Sequence, residues 1–209
     1  TAGNNLTLDA GPAGNVTLSG ALSGGGDLTV TDGAVQAYGA LTVNSIDIQD
    51  ATTSVTLGGA VASTTTIGIN SGGTIVQNGA ITSATTVDLD AASTIGLNAA
   101  ISGVSGTVAI DATGTTTIAA AGDISAGGAV TFGAAKAGTL TTSGDVTTTD
   151  DDVTFTNAVT LGGAVSIDTG GVAAGNILFS STVGTAGNNL TLDAGPAGNV
   201  TLSGALSGG

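Results

Sequence analysis

The chain alternates apolar and polar residues in short runs, and one seven-residue motif returns at nearly regular intervals. In this motif, apolar residues occupy the first and seventh positions and, in all copies but IVQNGAI and LTTSGDV, the third, while a small residue occupies the fifth. Its copies read VTLSGAL at 16–22, VQAYGAL at 35–41, VTLGGAV at 55–61, IVQNGAI at 75–81, IGLNAAI at 95–101, IAAAGDI at 118–124, LTTSGDV at 140–146, VTLGGAV at 159–165, ILFSSTV at 177–183 and VTLSGAL at 200–206. A period of two is the spacing of a β-strand, because its successive side chains point to opposite sides. The pattern therefore predicts short strands, and no stretch has helical periodicity.

A second motif follows the first along the chain and places two apolar residues around one other residue. Its copies are Leu6-Leu8-Asp9, Ile67-Ile69-Asn70, Val87-Leu89-Asp90 and Val108-Ile110-Asp111, and, without the acid or amide in that place, Leu28-Val30, Ile46-Ile48, Val130-Phe132 and Val153-Phe155. The unit at 159–176 is the weak one. Its second motif is either Val172-Ala174 or, in a shifted register, Val165-Ile167-Asp168. The sequence leaves both open.

Gly, Asn, Asp and Ser separate the apolar runs, as expected of tight turns. A unit of two or three short strands cannot bury its inner side alone. Stacked units bury a continuous column and pair each strand with the copies above and below it. We therefore predict an all-β fold, a parallel β-solenoid (β-helix). The alternative is a row of immunoglobulin-like sandwiches, which need longer strands and usually an aromatic anchor.

A much longer repeat encloses these units. The segment TAGNNLTLDAGPAGNVTLSGALSGG at 1–25 recurs unchanged at 185–209. We interpret 1–184 as one long tandem repeat and 185–209 as the start of the next, in a window cut from a tandem array. The repeat divides into about nine coils with a roughly 20-residue period, which start near positions 16, 35, 55, 75, 95, 118, 140, 159 and 177. At the strand spacing of about 4.8 Å, nine coils rise roughly 43 Å.

Composition excludes several classes of function. All 15 acids are Asp, the one base is Lys136, the net charge is −14, and Cys and His are absent. This excludes thiol chemistry and the usual zinc sites. A single cation also excludes nucleic-acid binding and docking on anionic membranes. No run of 18 apolar residues exists, so we expect no membrane insertion, and any signal peptide is expected to lie outside this segment.

The densest acidic cluster is Asp150, Asp151 and Asp152. Carboxylates can catalyse hydrolysis when paired at a controlled separation, and Ser or Thr nucleophiles need a general base. Lys136 is the only nitrogen base, so we predict no enzyme, no catalytic residue and no bound cofactor. Hard cations such as calcium take several carboxylate and carbonyl oxygens, which makes the cluster a candidate calcium site. The alternative is a solvated corner between two coils.

Two further features carry weaker hypotheses. Asp9, Asp90 and Asp111 would form a ladder of carboxylates if the coils align, and this ladder could also supply oxygens to calcium. Tyr38 is the one aromatic at a corner and a candidate for partner binding, although local packing explains it equally well.

Within this register the sequence resembles the repeat regions of filamentous-haemagglutinin-like surface proteins of bacteria. The phrases that carry the resemblance are NNLTLDAGPAGNVTLSGAL at 4–22, VTFTNAVTLGGAVSIDTGG at 153–171 and NILFSSTV at 176–183. The resemblance implies a right-handed parallel β-helix within a very large adhesin-like chain that a partner porin exports.

We therefore expect an extracellular or cell-surface protein whose function is mechanical: a stiff, soluble solenoid rod or filament. The expected partner is the protein itself, through stacked repeats and end-to-end or lateral association. Two alternatives remain. One is the stalk of an adhesin with a distal binding tip, and the other is a calcium-dependent surface-layer or matrix protein.

Overall fold

The computed structural model describes residues 3–173 and 175–208, and within them all regular structure is β. The first strands are β1 (Leu6–Asp9), β2 (Asn15–Leu18), β3 (Leu22–Ser23), β4 (Leu28–Tyr38), β5 (Leu41–Val43), β6 (Ile46–Leu57), β7 (Val61–Ser63), β8 (Thr66–Ser71) and β9 (Thr74–Gln77). They are followed by β10 (Ile81–Ser83), β11 (Thr86–Ala91), β12 (Ile95–Leu97), β13 (Ile101–Val104), β14 (Val108–Ala112), β15 (Thr115–Ile118), β16 (Ile124–Ala126), β17 (Val130–Phe132) and β18 (Thr139–Thr142). The last are β19 (Val146–Thr148), β20 (Val153–Phe155), β21 (Ala158–Leu161), β22 (Val165–Asp168), β23 (Ile177–Phe179), β24 (Val183–Gly184), β25 (Leu190–Asp193), β26 (Val200–Leu202) and β27 (Leu206–Ser207).

These strands wind into a parallel β-solenoid of about ten turns, with about 21 residues per turn. Each turn adds one strand to each of three faces. The first face contains β1, the first halves of β4 and β6, and β8, β11, β14, β17, β20, β23 and β26. The second face contains β2, the second halves of β4 and β6, and β9, β12, β15, β18, β21, β24 and β27. The third face contains β3, β5, β7, β10, β13, β16, β19, β22 and β25. The predicted fold class, an all-β parallel solenoid, is confirmed, and the alternative of immunoglobulin-like sandwiches is wrong.

The second sequence motif forms the first face. Its two apolar residues point inward and the residue between them points outward, as Val87, Asp88 and Leu89 show: the two apolar side chains are buried and the aspartate is exposed. Three successive turns carry Phe132, Phe155 and Phe179 at one inward position. Their rings stack, with centroids 4.9 and 4.4 Å apart and planes within 5° of parallel.

The first eight copies of the seven-residue motif wrap the corner between the second and third faces. Val55 and Leu57 end β6 on the second face, Gly59 lies at the corner, and Val61 begins β7 on the third face. The chain needs a small residue here because successive turns approach closely at this corner. A Cβ atom on Gly79, one turn further, would lie 1.9 Å from the carbonyl oxygen of Gly59.

Several polar side chains also point inward. Tyr38 is 2% exposed, and its hydroxyl donates a 2.7 Å hydrogen bond to Oε1 of Gln36. Gln36 in turn donates from Nε2 to the carbonyl oxygen of Gln49, and Gln77 donates to that of Gly79. These bonds satisfy groups that would otherwise be costly to bury. Tyr38 therefore packs locally, which was the alternative to a role in partner binding.

The weak unit differs from both a simple and a shifted repeat of the second motif. Val165 and Ile167 are buried, but in β22 on the third face, so this pair does not take the first-face place of the second motif. Val172 lies in the following loop and is 87% exposed, while Ala174 lies outside the described residues. Ile177 then pairs with the first-face strand β20.

Eight of the nine predicted coil starts fall on the second face, at 16, 35, 55, 75, 95, 118, 140 and 159. The ninth, at 177, falls on the first face.

The two copies of the 25-residue segment consequently occupy different faces. Leu6–Asp9 lies on the first face, whereas its copy Leu190–Asp193 lies on the third. In the same way, residues 16–18 lie on the second face and their copy Val200–Leu202 on the first. One long repeat therefore corresponds to eight and two-thirds turns of the solenoid.

Both copies nevertheless keep the same local turn. The amide of Gly11 donates to Oδ1 of Asp9, and the amide of Gly195 donates to Oδ1 of Asp193, each at 2.9 Å. The segment can therefore lie on the first and second faces or on the third and first, because the hydrogen bond that closes its turn comes from its own aspartate.

Candidate functional site

The acidic cluster lies at the corner where the third face meets the first, between β19 and β20. Asp150 has a positive φ of 61°, a conformation that Asp tolerates better than most residues. Its Oδ1 atom accepts hydrogen bonds from the amides of Val172 (3.0 Å) and Ala173 (2.9 Å), one turn further along the solenoid. These two bonds stabilise the carboxylate and lower the pKa of Asp150.

Asp152 makes a similar connection. Its Oδ1 accepts from the backbone amide of Asn176 at 2.7 Å and from the Asn176 side chain at 2.9 Å. The Asn176 side-chain oxygen then accepts both the amide and the side chain of Asn199, each at 3.1 Å, in the turn after that. The result is a ladder of side chains that ties three turns together. Asp151 is exposed beside it.

Within residues 3–173 and 175–208, no three His, Cys, Asp or Glu side chains are grouped so that they could hold a metal ion. One carboxylate oxygen of Asp150 and one of Asp152, Oδ1 in each case, already accept hydrogen bonds from amides of the next turn. Calcium binding at Asp150, Asp151 and Asp152 stays a prediction, and the observed contacts favour a role in holding the corner.

A chelation experiment follows from this geometry. We expect excess chelator to shift the melting temperature by less than about 1 °C, because the corner is closed by hydrogen bonds rather than by an ion. Replacing Asp150 with alanine should lower the melting temperature equally with calcium and with chelator, since two amides lose their acceptor. A calcium-dependent rise in melting temperature that Asp150→Ala abolishes would instead establish the metal site.

A second acidic region lies on the outer side of the first face. Asp47, Gly68 and Asp88 are adjacent in successive turns, so the missing side chain of Gly68 leaves a shallow notch between two carboxylates. Asp27 lies near the same surface. Its Oδ1 accepts from the side chains of Asn44 and Ser45, which lower its pKa.

The predicted ladder of Asp9, Asp90 and Asp111 is only partly formed. Asp90 and Asp111 are neighbours in successive turns, whereas Asp9 pairs with Asp32 at the start of the face. Lys136, for which the sequence indicated no partner, forms an ion pair with Asp90 from two turns away.

Among these neighbouring acids, Asp88 is the one whose pKa is raised by its surroundings. Partial burial, followed by the negative charges of Asp111 and Asp90, raises the pKa of its carboxyl group. A raised pKa in the folded state means that the charged form opposes folding at every pH above the ordinary value of 3.8.

We therefore expect Asp88→Asn to stabilise the protein at pH 7, by less than about 1 kcal/mol because the side chain is largely solvated. The gain should disappear well below pH 3.8, where Asp88 carries a proton in both the folded and unfolded states. Urea denaturation of both proteins at neutral and acidic pH measures the difference. A loss of stability at pH 7 would show that the Asp88 carboxylate makes a favourable contact instead.

No protein-family model, no curated protein and no solved structure matches this chain. In the part of the chain that the structure describes, no helix is long and apolar enough to cross a membrane. The structure is a parallel β-solenoid of about ten turns, which is consistent with a β-helix repeat protein.

Proposed function

We propose that this chain is a non-catalytic structural segment of an extracellular or cell-surface fibre, in which it forms a stiff rod. The observation that carries the proposal is the uninterrupted stacking of parallel strands on three faces through about ten turns. Two of the faces are joined into one sheet because β4 and β6 continue around the corner between them.

Stiffness follows from how the turns are connected. Each turn is hydrogen-bonded to the next on all three faces, and the apolar interior is one continuous cluster. Bending such a rod would have to open hydrogen bonds or separate packed rows on at least one face. Because each turn contacts mainly its neighbours, length can be added without changing the cross-section.

The surface charge suits a rod that remains dispersed. The net charge of −14 is carried by aspartates spread along the chain, with Lys136 as the one opposing side chain. Like charges on neighbouring rods repel each other, and salt screens this repulsion. The extracellular location rests on the resemblance to filamentous-haemagglutinin-like repeats.

The proposed partner is another copy of the same repeat. The segment at 185–209 repeats residues 1–25 without a change, and successive turns of the solenoid pair through backbone amide and carbonyl groups. Another copy of the repeat can therefore add turns that pair in the same way.

Electron cryomicroscopy of native material tests the proposal. We expect filaments with an axial reflection near 4.8 Å, the strand spacing, and antibody labelling at the cell surface. Filaments without that reflection, or labelling confined to the cell interior, would contradict it.

The same rod could also form the stalk of an adhesin or part of a calcium-dependent surface layer. Binding by a non-repetitive tip favours the former, and calcium-dependent assembly the latter.

A further inference from the structure

The only lysine of the chain lies in a loop whose backbone is fixed from both sides. This loop, residues 133–138, connects β17 to β18. From the turn before it, Asp111 accepts the amide of Ala135 at 2.8 Å. From the turn after it, the side chain of Asn157 donates to the carbonyl oxygen of Lys136 at 2.9 Å. The main chain of Lys136 therefore has a defined position above the first face.

The side chain of Lys136 extends back across the turn of Asp111 and reaches Asp90. Its Nζ atom is in direct contact with Oδ1 of Asp90. The two side chains are only 23% and 31% exposed. Asp90 itself lies in β11, which is paired with strands on both sides. Amine and carboxyl group are thus held together by rigid elements, an arrangement that raises the effective concentration of one at the other.

Two more carboxyl groups surround this pair. Asp88 is on the same outer side of β11 as Asp90, and Asp111 follows Asp90 in the next turn. Asp111 is 6% exposed. Carboxyl groups beside a reacting pair can carry protons to and from it. Burial, followed by the charges of Asp111 and Asp90, raises the pKa of Asp88, which favours the protonated form of its carboxyl group.

We propose that Lys136 and Asp90 form an intramolecular isopeptide bond. Within the ion pair, one proton passes from the ammonium group to the carboxylate, which gives a neutral amine and a neutral acid. Nζ then attacks Cγ of Asp90, the Cγ–OH bond breaks with a proton supplied by a neighbouring carboxyl group, and the nitrogen returns its second proton to that carboxylate. The products are one amide bond and one water molecule, and no other reactant is needed.

The bond would fasten three consecutive turns of the solenoid, since it joins residues 46 positions apart across the turn of Asp111. A partly exposed ion pair contributes little to stability. A covalent link would instead prevent these turns from separating when the rod is pulled or partly unfolded. The inference concerns the chemistry of this cluster and does not depend on the fibre function.

The composition makes the bond easy to detect. With Lys136 as the only Lys or Arg, trypsin has one cleavage site, and the unfolded chain has one side-chain amine besides its N-terminus. We expect the intact mass to be lower by one water, the denatured chain to resist trypsin at Lys136, and amine labelling to modify only the N-terminus. Fragmentation should then locate the lost water in a branched peptide that contains both residues.

Lys136→Arg is the matched control, because it keeps the positive charge and the trypsin site but lacks the amine. It should have its full mass and be cleaved once. It also separates the proposed bond from water loss at Asp32-Gly33, where an Asp-Gly pair can cyclise.

Variants of the neighbouring acids test the proton transfer. Asp88→Asn and Asp111→Asn should each leave a larger unlinked fraction in freshly made protein. The amide oxygen introduced by Asp111→Asn can still accept the hydrogen bond from Ala135, so the loop keeps its position. Full mass, two labelled amines and tryptic cleavage of the parent chain would overturn the proposal and leave an ordinary salt bridge.

Discussion

Replacing Phe155 with alanine is expected to lower the free energy of unfolding by about 3–5 kcal/mol, the usual cost of removing a large buried aromatic side chain. Phe155 is 1% exposed and is the middle ring of the stack that Phe132 and Phe179 complete. Its loss would leave a cavity in the centre of the solenoid and separate the two outer rings. Urea denaturation followed by circular dichroism measures the effect.

Position within the stack provides the control. Phe132→Ala removes a ring with one stacked neighbour instead of two, so it should cost less by about 0.5–1.5 kcal/mol, the range for one aromatic pair. Thr154→Ala, on the outer side of the same strand as Phe155, should change stability by no more than about 0.5 kcal/mol. Equal losses for Phe155→Ala and Phe132→Ala would show that the stack adds nothing beyond burial.

The second large effect is expected at Gly79, where alanine should destabilise the protein by about 1–3 kcal/mol, as overpacking does. The added methyl group would lie 1.9 Å from the carbonyl oxygen and 2.1 Å from the carbonyl carbon of Gly59 in the preceding turn. Both atoms belong to backbone, so no side chain can rotate away. Relief requires the two turns to move apart, which would weaken the hydrogen bonds that join these two turns on the second and third faces, on either side of this corner.

Gly20 occupies the same corner in the first described turn and is the matched control. A methyl group there would have no atom within 4 Å. Gly20→Ala should therefore be neutral or stabilise by about 0.4–1 kcal/mol, because alanine restricts the unfolded chain. If both substitutions have the same effect, intrinsic backbone preference rather than the approach of successive turns explains why small residues recur at this position of the motif.

The fold class was predictable because the apolar pattern is both local and repeated. Each pair such as Val87 and Leu89 identifies an inward-facing strand by itself, and the regular spacing of the motif indicates stacking. The small residue of the seven-residue motif was also a reliable sign of a corner. None of these inferences required knowledge of contacts distant in sequence.

The motif did not predict the register of every turn, because corner loops of variable length decide it. The motif aligns Ile95 with Ile118, for example, whereas Ile95 pairs with Thr116. On the first face Ile67 pairs with Val87 and Val87 with Val108, whereas Val153 pairs with Ile177, so this later turn is longer. The motif at 177–183 matches the apolar pattern of either face, so its residues alone cannot assign it. The loop that contains the exposed Val172 absorbs the difference.

The contacts of the candidate site residues were harder to predict than the register. Sequence proximity singled out Asp150, Asp151 and Asp152, but the structure directs two of these side chains to amides of the next turn. The contact between Lys136 and Asp90 spans 46 residues and depends on two turns having the correct lengths. Only the alignment of turns in space brings those two groups together.

The advance of eight and two-thirds turns per long repeat has a consequence for any continuation of the array in the same geometry. Successive repeats would be related by a screw operation, each rotated by one-third of a revolution relative to the last. A feature such as the notch at Gly68 would then point in three directions in succession and return to its first orientation after three repeats, about 125 Å along the axis at the strand spacing. Such a rod would present the same features on three sides, so neighbours approaching from three directions 120° apart would meet the same pattern, displaced along the axis.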